Sequence, residues 1–318
     1  MATYVIRRLF LAVIVLILVS LLLFIAVHLL PGDPIYMIMS SGQVDATTTA
    51  EVEHIRHLYG LDRPLVVQYF NWLNQVIHGQ LGVSIVKHMP VMDMIGDRVP
   101  VSLYLGGLAF VIGIPLGIGA GIICAVRRGT WLDTVVTSIS NIGICVPSFW
   151  LAILLIYLMG LQLRLLPVFG FTPVYQDPVM SIKQSIMPVF CLAIAPVAMN
   201  CRLTRSSLLD VIHQDYIRTA WAKGLRERTV IFRHALKNGI LPILTMLGMG
   251  VASVIGGSVF IEQVFGIPGM GRLLLDGVNA HDYPVLQANV LIFATIILIS
   301  NLIVDLCYGW LDPRVRYN

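Results

Sequence analysis

Charge is what this sequence has least of. Only 12% of its 318 residues are Asp, Glu, Lys or Arg, 57% are hydrophobic, and the mean hydropathy is +0.85. A soluble domain this apolar would not stay in solution, so water-soluble classes are excluded and an integral membrane protein is expected. Catalytic signatures are missing as well. No G-x-x-x-x-G-K-[ST] occurs, which excludes ATP binding by a P-loop. No H-E-x-x-H and no G-x-S-x-G occurs, which removes the zinc-protease and nucleophile-elbow readings. The five cysteines (Cys124, Cys145, Cys191, Cys201, Cys307) lie in or beside apolar runs without C-x-x-C spacing. They read as small buried hydrophobes, not as disulfides or metal ligands. His54 and His57 share a helix face, with His78 and His88 further on, yet no cysteine accompanies them. A solvated surface helix accounts for them and no metal site is assigned.

What is present is a series of long apolar runs. A membrane helix needs about 20 apolar residues to cross about 30 Å of hydrocarbon. Residues 9–30 carry no Asp, Glu, Lys or Arg and follow Arg7 and Arg8. This run is too long for a signal-peptide core and lacks a clear cleavage site, so it reads as a retained span. Residues 31–98 are more polar and read as a small helical cap on the membrane surface. Thr48 and Glu51 form a capping-box pattern that opens a helix Gly60 can end. Pro64 suits the start of a second helix, with Val66, Tyr69, Phe70, Leu73, Val76 and Ile77 on one face and Gly79 closing it. Span two, within 98–127, carries Gly113, Gly117 and Gly121, a doubled G-x-x-x-G that allows close helix approach, plus Pro115. Span three lies within 133–164 and contains Pro147, and a short span four lies within 183–202 with Pro188 and Pro196. Span five lies within 237–262 and span six covers about 283–311. The fold class is therefore all-α membrane protein with six transmembrane helices, a helical insertion after the first, and no internal repeat. Its expected segments are 1–30, 31–98 and 99–318. With both termini inside, 14 of the 21 Lys and Arg fall on the cytoplasmic side and 7 outside, as the positive-inside rule requires.

Charge concentrates in one place, residues 202–242. Leu208, Ile212, Tyr216 and Ala220 recur every four residues as a helical stripe. Gly224 suits the left-handed residue that ends a helix, and Thr229 can cap the next one. The shape is helix, glycine turn, helix at the cytoplasmic surface. Periodicity and charge leave two readings open. One is a rigid docking element through which an external ATPase moves the spans; the other is an ordinary basic interfacial helix. Among span residues, His28 and Asp305 are the clearest ionisable groups and lie at opposite faces. Asn141, Ser148, Asn200 and Ser258 are polar groups in or near spans, as suited to hydrogen bonding between helices as to a solute pathway.

The run Asp215-Tyr216-Ile217-Arg218-Thr219-Ala220-Trp221-Ala222-Lys223-Gly224-Leu225, with Arg233-His234-Ala235-Leu236-Lys237-Asn238 and Leu241-Pro242, resembles the EAA loop of bacterial ABC-importer permeases of the peptide/nickel subclass. The resemblance covers almost the whole chain. It includes Leu30-Pro31-Gly32-Asp33-Pro34, Tyr59-Gly60-Leu61-Asp62-Arg63-Pro64-Leu65, Leu165-Leu166-Pro167, Pro268-Gly269-Met270-Gly271-Arg272, Asp282-Tyr283-Pro284-Val285 and Asp312-Pro313-Arg314. Departures are His281 for the usual Arg, Ile267 for an aromatic and Leu81 for Phe. The resemblance implies a type I ABC-importer permease fold and a non-catalytic subunit of the bacterial inner membrane. It implies a second, related permease as partner, two cytoplasmic ATPases and an extracytoplasmic solute-binding protein, with lipid around it and no nucleic acid. ATP and magnesium would sit on the ATPases, with no cofactor on this chain. Asp215, Tyr216, Arg218, Ala220 and Gly224 would make the ATPase coupling contact. The implied solutes are peptides, glutathione-like compounds or nickel chelates. The rival readings are a stand-alone secondary transporter or channel, which would carry charges at mid-membrane and need no docking helix, and a membrane enzyme, which would need paired polar groups at one depth.

Overall fold

The computed structural model describes residues 2–29, 53, 56–57 and 62–311. Thr48, Glu51, His54, Gly60, the 30–34 motif and the 312–314 motif lie outside them. Among the described residues the regular structure is helical, with one isolated bridge between Val83 and Pro90. The helices are α1 Ala2–His28, α2 Leu65–Ile77, α3 Val91–Val126, α4 Trp131–Cys145, α5 Ser148–Leu155 and α6 Pro178–Ile212. They continue as α7 Asp215–Ala222, α8 over residues 227–239, α9 Leu241–Val264, α10 Met270–Asn279 and α11 Tyr283–Leu311. α5 runs on into π-helical turns over Ile156–Gln162, and α8 contains π-helical turns over Val230–Ala235.

Four helices are long and apolar enough to cross a membrane: Val5–His28 within α1, then α3, α6, and Tyr283–Leu306 within α11. The pair α4–α5 makes a fifth if counted as one span, and α9 adds a helix of 24 residues. The expected six are reached only on that count. Span three, expected as one span within 133–164, is a bent pair of helices. Its two halves meet at 103°. Pro147 has no N–H to continue the ladder and forces Val146 out of the helical region, to φ −76° and ψ 121°. Span four also departs from expectation, because it is long. Asp177 caps α6 by accepting from the Met180 amide at 3.0 Å, and the helix continues through Pro188 and Pro196 to Ile212. Each proline removes one backbone bond, which neighbouring helices make tolerable in a membrane.

The chain divides into two compact units, with divisions inside α1, α3 and α11 and one in the loop between α9 and α10. In the unit formed mainly by residues 102–267, α6 is central. Gly117 and Gly121 of α3 face it so closely that an added Cβ at Gly117 would lie 2.7 Å from the Asn200 Cβ and the Val197 carbonyl. At Gly121 it would lie 2.5 Å from the Thr204 Cβ and 2.6 Å from the Cys201 carbonyl. The glycine stripe thus brings two backbones into contact. On another side Gly143 of α4 meets Ile194 and Ala198. An ion pair closes the same contact. The Arg205 Nε and Nη2 donate to the two Asp133 carboxylate oxygens at 2.7 and 2.9 Å. Asp133 is buried and also accepts from the Gly129 amide and Thr137 hydroxyl. This polar pair between helices was not anticipated. Glu262 of α9, fully buried, accepts from the Ser102 hydroxyl at 2.6 Å.

The second unit, residues 6–101 and 268–298, is built around a cluster of Val91, Met94, Ile95, Met270, Leu273, Val285 and Ala288. The buried Asp282 carboxylate accepts from the Ser84 hydroxyl and from the Ile85 and Val86 amides, so the Asp-Tyr-Pro motif holds the turn that precedes α3. α2 starts after Pro64 and ends before Gly79 at φ +76°, as expected. Its buried side differs from expectation. Tyr69 is buried, but Val66, Phe70 and Ile77 are exposed.

Two outcomes follow from the α3–α6–α4 packing. Gly117→Val and Gly121→Val are expected to destabilise the protein by about 1–3 kcal/mol each through overpacking. Gly119→Ala, where a Cβ would meet nothing within 4 Å, is expected to be neutral. Thermal unfolding in detergent reads both. Asp133→Ala, which leaves the half-buried Arg205 guanidinium without its carboxylate, is expected to cost about 1.5–3 kcal/mol. The double change Asp133→Leu with Arg205→Met is expected to recover most of that loss.

Candidate coupling element

Residues 202–242 form one connected structure within the 102–267 unit. The first part is the end of α6. The helical stripe expected to run unbroken from Leu208 to Ala220 is interrupted at His213 and Gln214. α6 stops at Ile212 and α7 starts at Asp215, so two helices share the stripe. The break shifts the register. Leu208 and Ala220 are buried as expected, but Ile217 takes the inward position and Tyr216 is 40% exposed. Local sequence gives no reason to favour Ile217 over Tyr216; the change of direction at His213 decides it.

α7 ends as its glycine predicts. Gly224 has φ +73°, a conformation that only glycine enters without strain. Its amide donates to the Trp221 carbonyl at 2.9 Å and the Leu225 amide to the Ala220 carbonyl at 3.4 Å. That pair of bonds is a Schellman turn, which satisfies carbonyls otherwise left open at a helix end. Leu225 then packs on the cluster of Ile217, Ala220, Val230 and Ala235, joined by Val211 and Ile212. One small core therefore ties the end of α6, α7, the turn and α8 together.

The next helix does not use Thr229 as its cap. It begins at Glu227 behind Arg226, with no side-chain cap bond. Arg226 already has extended backbone, φ −64° and ψ 143°, so the chain turns in before Thr229 is reached. α8 returns to α6. Ser207 donates to the Gly239 carbonyl at 2.7 Å, and a Cβ on Gly239 would lie 3.3 Å from the Leu208 side chain. α9 begins two residues later, at Leu241. A further tie missed from sequence is the bond from Asn238 Nδ2 to the Tyr216 hydroxyl at 2.8 Å. Both partners stand in the quoted motifs, and that shared membership was the available signal.

The opposite side of α7 is polar and open. The Asp215 side chain is 98% exposed and Arg218 73%, with 3.5 Å between their charged groups. Trp221 is 44% exposed. A salt bridge this exposed adds little to stability. The face is rigidly backed and carries both signs of charge beside aromatic rings.

The four candidate pathway residues are separated. Asn141 of α4 is exposed and Ser148 opens α5, so both flank the bend. Beside that bend is a cavity of about 530 Å³ lined by Asn141, Cys145, Pro147, Phe149 and Trp150 among others. Asn200 is buried on α6 with its Cβ against Gly117. Ser258 is buried on α9 and donates to the Ile255 carbonyl at 2.8 Å. Among the described residues, no group of three or more His, Cys, Asp or Glu is placed to hold a metal ion.

Comparison with known proteins identifies the family and the fold. Residues 117–317 match the binding-protein-dependent transport system inner membrane component, and residues 1–106 match its N-terminal region. A Brucella abortus protein named as a candidate peptide transport system permease is 41% identical over 318 residues, the full length of both chains. The glutathione transport system permease protein GsiC of Escherichia coli K12 is 39% identical over 317 residues, again the full length of both. A chain of the MetNI methionine ABC transporter in an inward-facing conformation superposes with a TM-score of 0.57 at 16% identity, over 70% of this chain and 97% of that one. That last likeness fixes the fold as the type I importer permease fold. The chain is a multi-pass permease and belongs to the family of inner membrane components of binding-protein-dependent transport systems.

Proposed function

We propose that this permease is the non-catalytic membrane subunit of an ATP-driven importer, coupled to its ATPases through α7. The carrying observation is the two-sidedness of α7. Ile217 and Ala220 fix one side to a core shared with α6 and α8, while Asp215, Tyr216, Arg218 and Trp221 remain available to a partner. A push on the open side reaches α6 directly, and reaches α9 through α8. In this reading Asp215, Tyr216 and Arg218 contact the ATPase. Ala220 keeps the helix close to its core, and Gly224 sets the angle of the turn. The π-helical stretch of α8 suits a lever that must re-pack, since such turns cluster where helices change register at functional sites.

The assembly in this reading contains a second, related permease, two cytoplasmic ATPases carrying ATP and magnesium, and an extracytoplasmic binding protein. Both termini of this chain are cytoplasmic. The solute is a small peptide or a related compound, a class that includes glutathione-like molecules and nickel chelates. The names of the full-length relatives, peptide and glutathione permeases, support that class. Asn141, Ser148, Asn200 and Ser258 are the proposed pathway residues, and Asn141, open beside the bend, is the first to test. A stand-alone transporter is not favoured, because it leaves the open face of α7 without a use.

Two substitutions separate docking from ordinary membrane edge. Gly224→Val places a β-branched residue at φ +73° and is expected to abolish uptake in proteoliposomes while the protein still inserts and its binding protein still docks. Unchanged uptake would refute the coupling role. Arg218→Glu alters an exposed residue, so thermal stability is expected to hold within about 0.5 kcal/mol. Co-purification of the ATPase subunits is expected to fall severalfold; full retention would count against the assigned face.

A further inference from the structure

The helix α2, expected to belong to a cap on the membrane surface, makes contacts with α1 that bear on its depth. Tyr69 Oη lies 3.0 Å from Ser20 Oγ, and because Ser20 donates to the Ile17 carbonyl, Tyr69 is the donor to Ser20. Phe24 packs on Tyr69 and Trp72 with ring centroids 5.5 and 6.1 Å apart, and His28 Nε2 is 3.3 Å from Gln68. Ser20, Phe24 and His28 are one face of α1, spaced one turn apart. Together they cover the last third of the membrane span Val5–His28.

The depth can be bounded. At 1.5 Å per residue, the 24 residues of that span measure about 36 Å against about 30 Å of hydrocarbon. Ser20 lies about 12 Å from the end of the span along its axis. Even centred in the bilayer, it is roughly 9 Å below the hydrocarbon boundary. Tyr69, bonded to it, is at that level too.

Sequence periodicity then says what α2 meets there. Residues Leu65–Ile77 contain no charged side chain. Tyr69 and Trp72 face α1. Next to them on the helical surface come Val66, Phe70 and Ile77, exposed by 66%, 62% and 74%. Asn71, Asn74 and Gln75 occupy the opposite edge. On α1 itself, the side away from α2 is also apolar and open, with Leu22 67% and Ile25 47% exposed. A soluble partner would have to enter the hydrocarbon to cover the apolar face of α2.

We infer that α2 is an interfacial helix sunk into the outer part of one lipid leaflet, its Val66–Phe70–Ile77 face against acyl chains and its Asn71–Asn74–Gln75 edge toward the headgroups. An amphipathic helix with a wide apolar arc and an uncharged polar edge fits that boundary, and it buries about 5–10 Å into it, the depth set by the Tyr69–Ser20 bond. The insertion between the first two spans is thereby anchored to lipid as well as to α1.

The test uses the full chain with its partner subunits in proteoliposomes. A thiol reacts as its thiolate and needs water, so Phe70→Cys and Val66→Cys are expected to react with a membrane-impermeant maleimide at least about tenfold more slowly than Gln75→Cys, above the background of the native cysteines. Equal rates would overturn the inference. Slow reaction alone would also follow from cover by another protein. A carbene-generating probe on a lipid acyl chain separates the two in the unmodified protein. The 65–77 peptide is expected to be tagged as heavily as that of α1. An untagged 65–77 peptide, or one cross-linked instead to the binding protein or second permease, overturns the inference.

Discussion

Hydrocarbon gives helices no hydrophobic reason to associate, because a lipid tail is as apolar as a leucine side chain. What holds α3 to α6 is therefore contact itself. Gly117 and Gly121 remove the side chains that would keep the two backbones apart, and Val197 and Cys201 present their carbonyls to the space left. The position of α6 depends on that approach. So does the position of α4, since Gly143 and the Asp133–Arg205 pair register it on the same helix. A side chain of any size on the glycine face would move α6, and with it everything attached further along.

Much is attached. α6 is a single helix of 35 residues, so its C-terminal end inherits the orientation set among the spans. The small core of Ile217, Ala220, Val230 and Ala235 then holds α7 against that end. The Ser207–Gly239 bond returns the chain to α6 before α9 begins. Sequence order would make this region a loop. Packing makes it a bracket with two feet, one on α6 and one leading into α9.

The readable features of the sequence were those decided locally or by solvent. Charge-poor runs declare spans because no water is available to hydrate an exception. Gly224 declares a left-handed turn because no other residue sits there without strain. The glycine stripe of α3 declares a close approach, though not its partner, since periodicity on one helix carries no address. Other features were settled by non-local contact. The stop at His213, which turned Ile217 inward in place of Tyr216, depends on how α7 meets α8. Asp133 read as a residue at a span edge, and only the fold brings Arg205, 72 positions away, to it. The bend at Pro147 was signalled by the proline, but its 103° could not be. Proline can end a helix, kink it slightly or, as at Pro188 and Pro196, pass within it, and neighbours choose among these outcomes. For α2 the apolar face was legible, but its contact with α1 through the hydroxyl pair of residues 20 and 69 was not.

The bracket has a thermodynamic corollary. Because α7 is bound to α6 on one side and leads through α8 to α9 on the other, no state of the spans that displaces either helix leaves its open face unchanged. Coupling free energy is reciprocal. In the proposed importer, a nucleotide closing a distant ATPase on that face and a solute seated among the helices would alter each other's affinity by one common factor. Neither could be tuned by evolution without retuning the other.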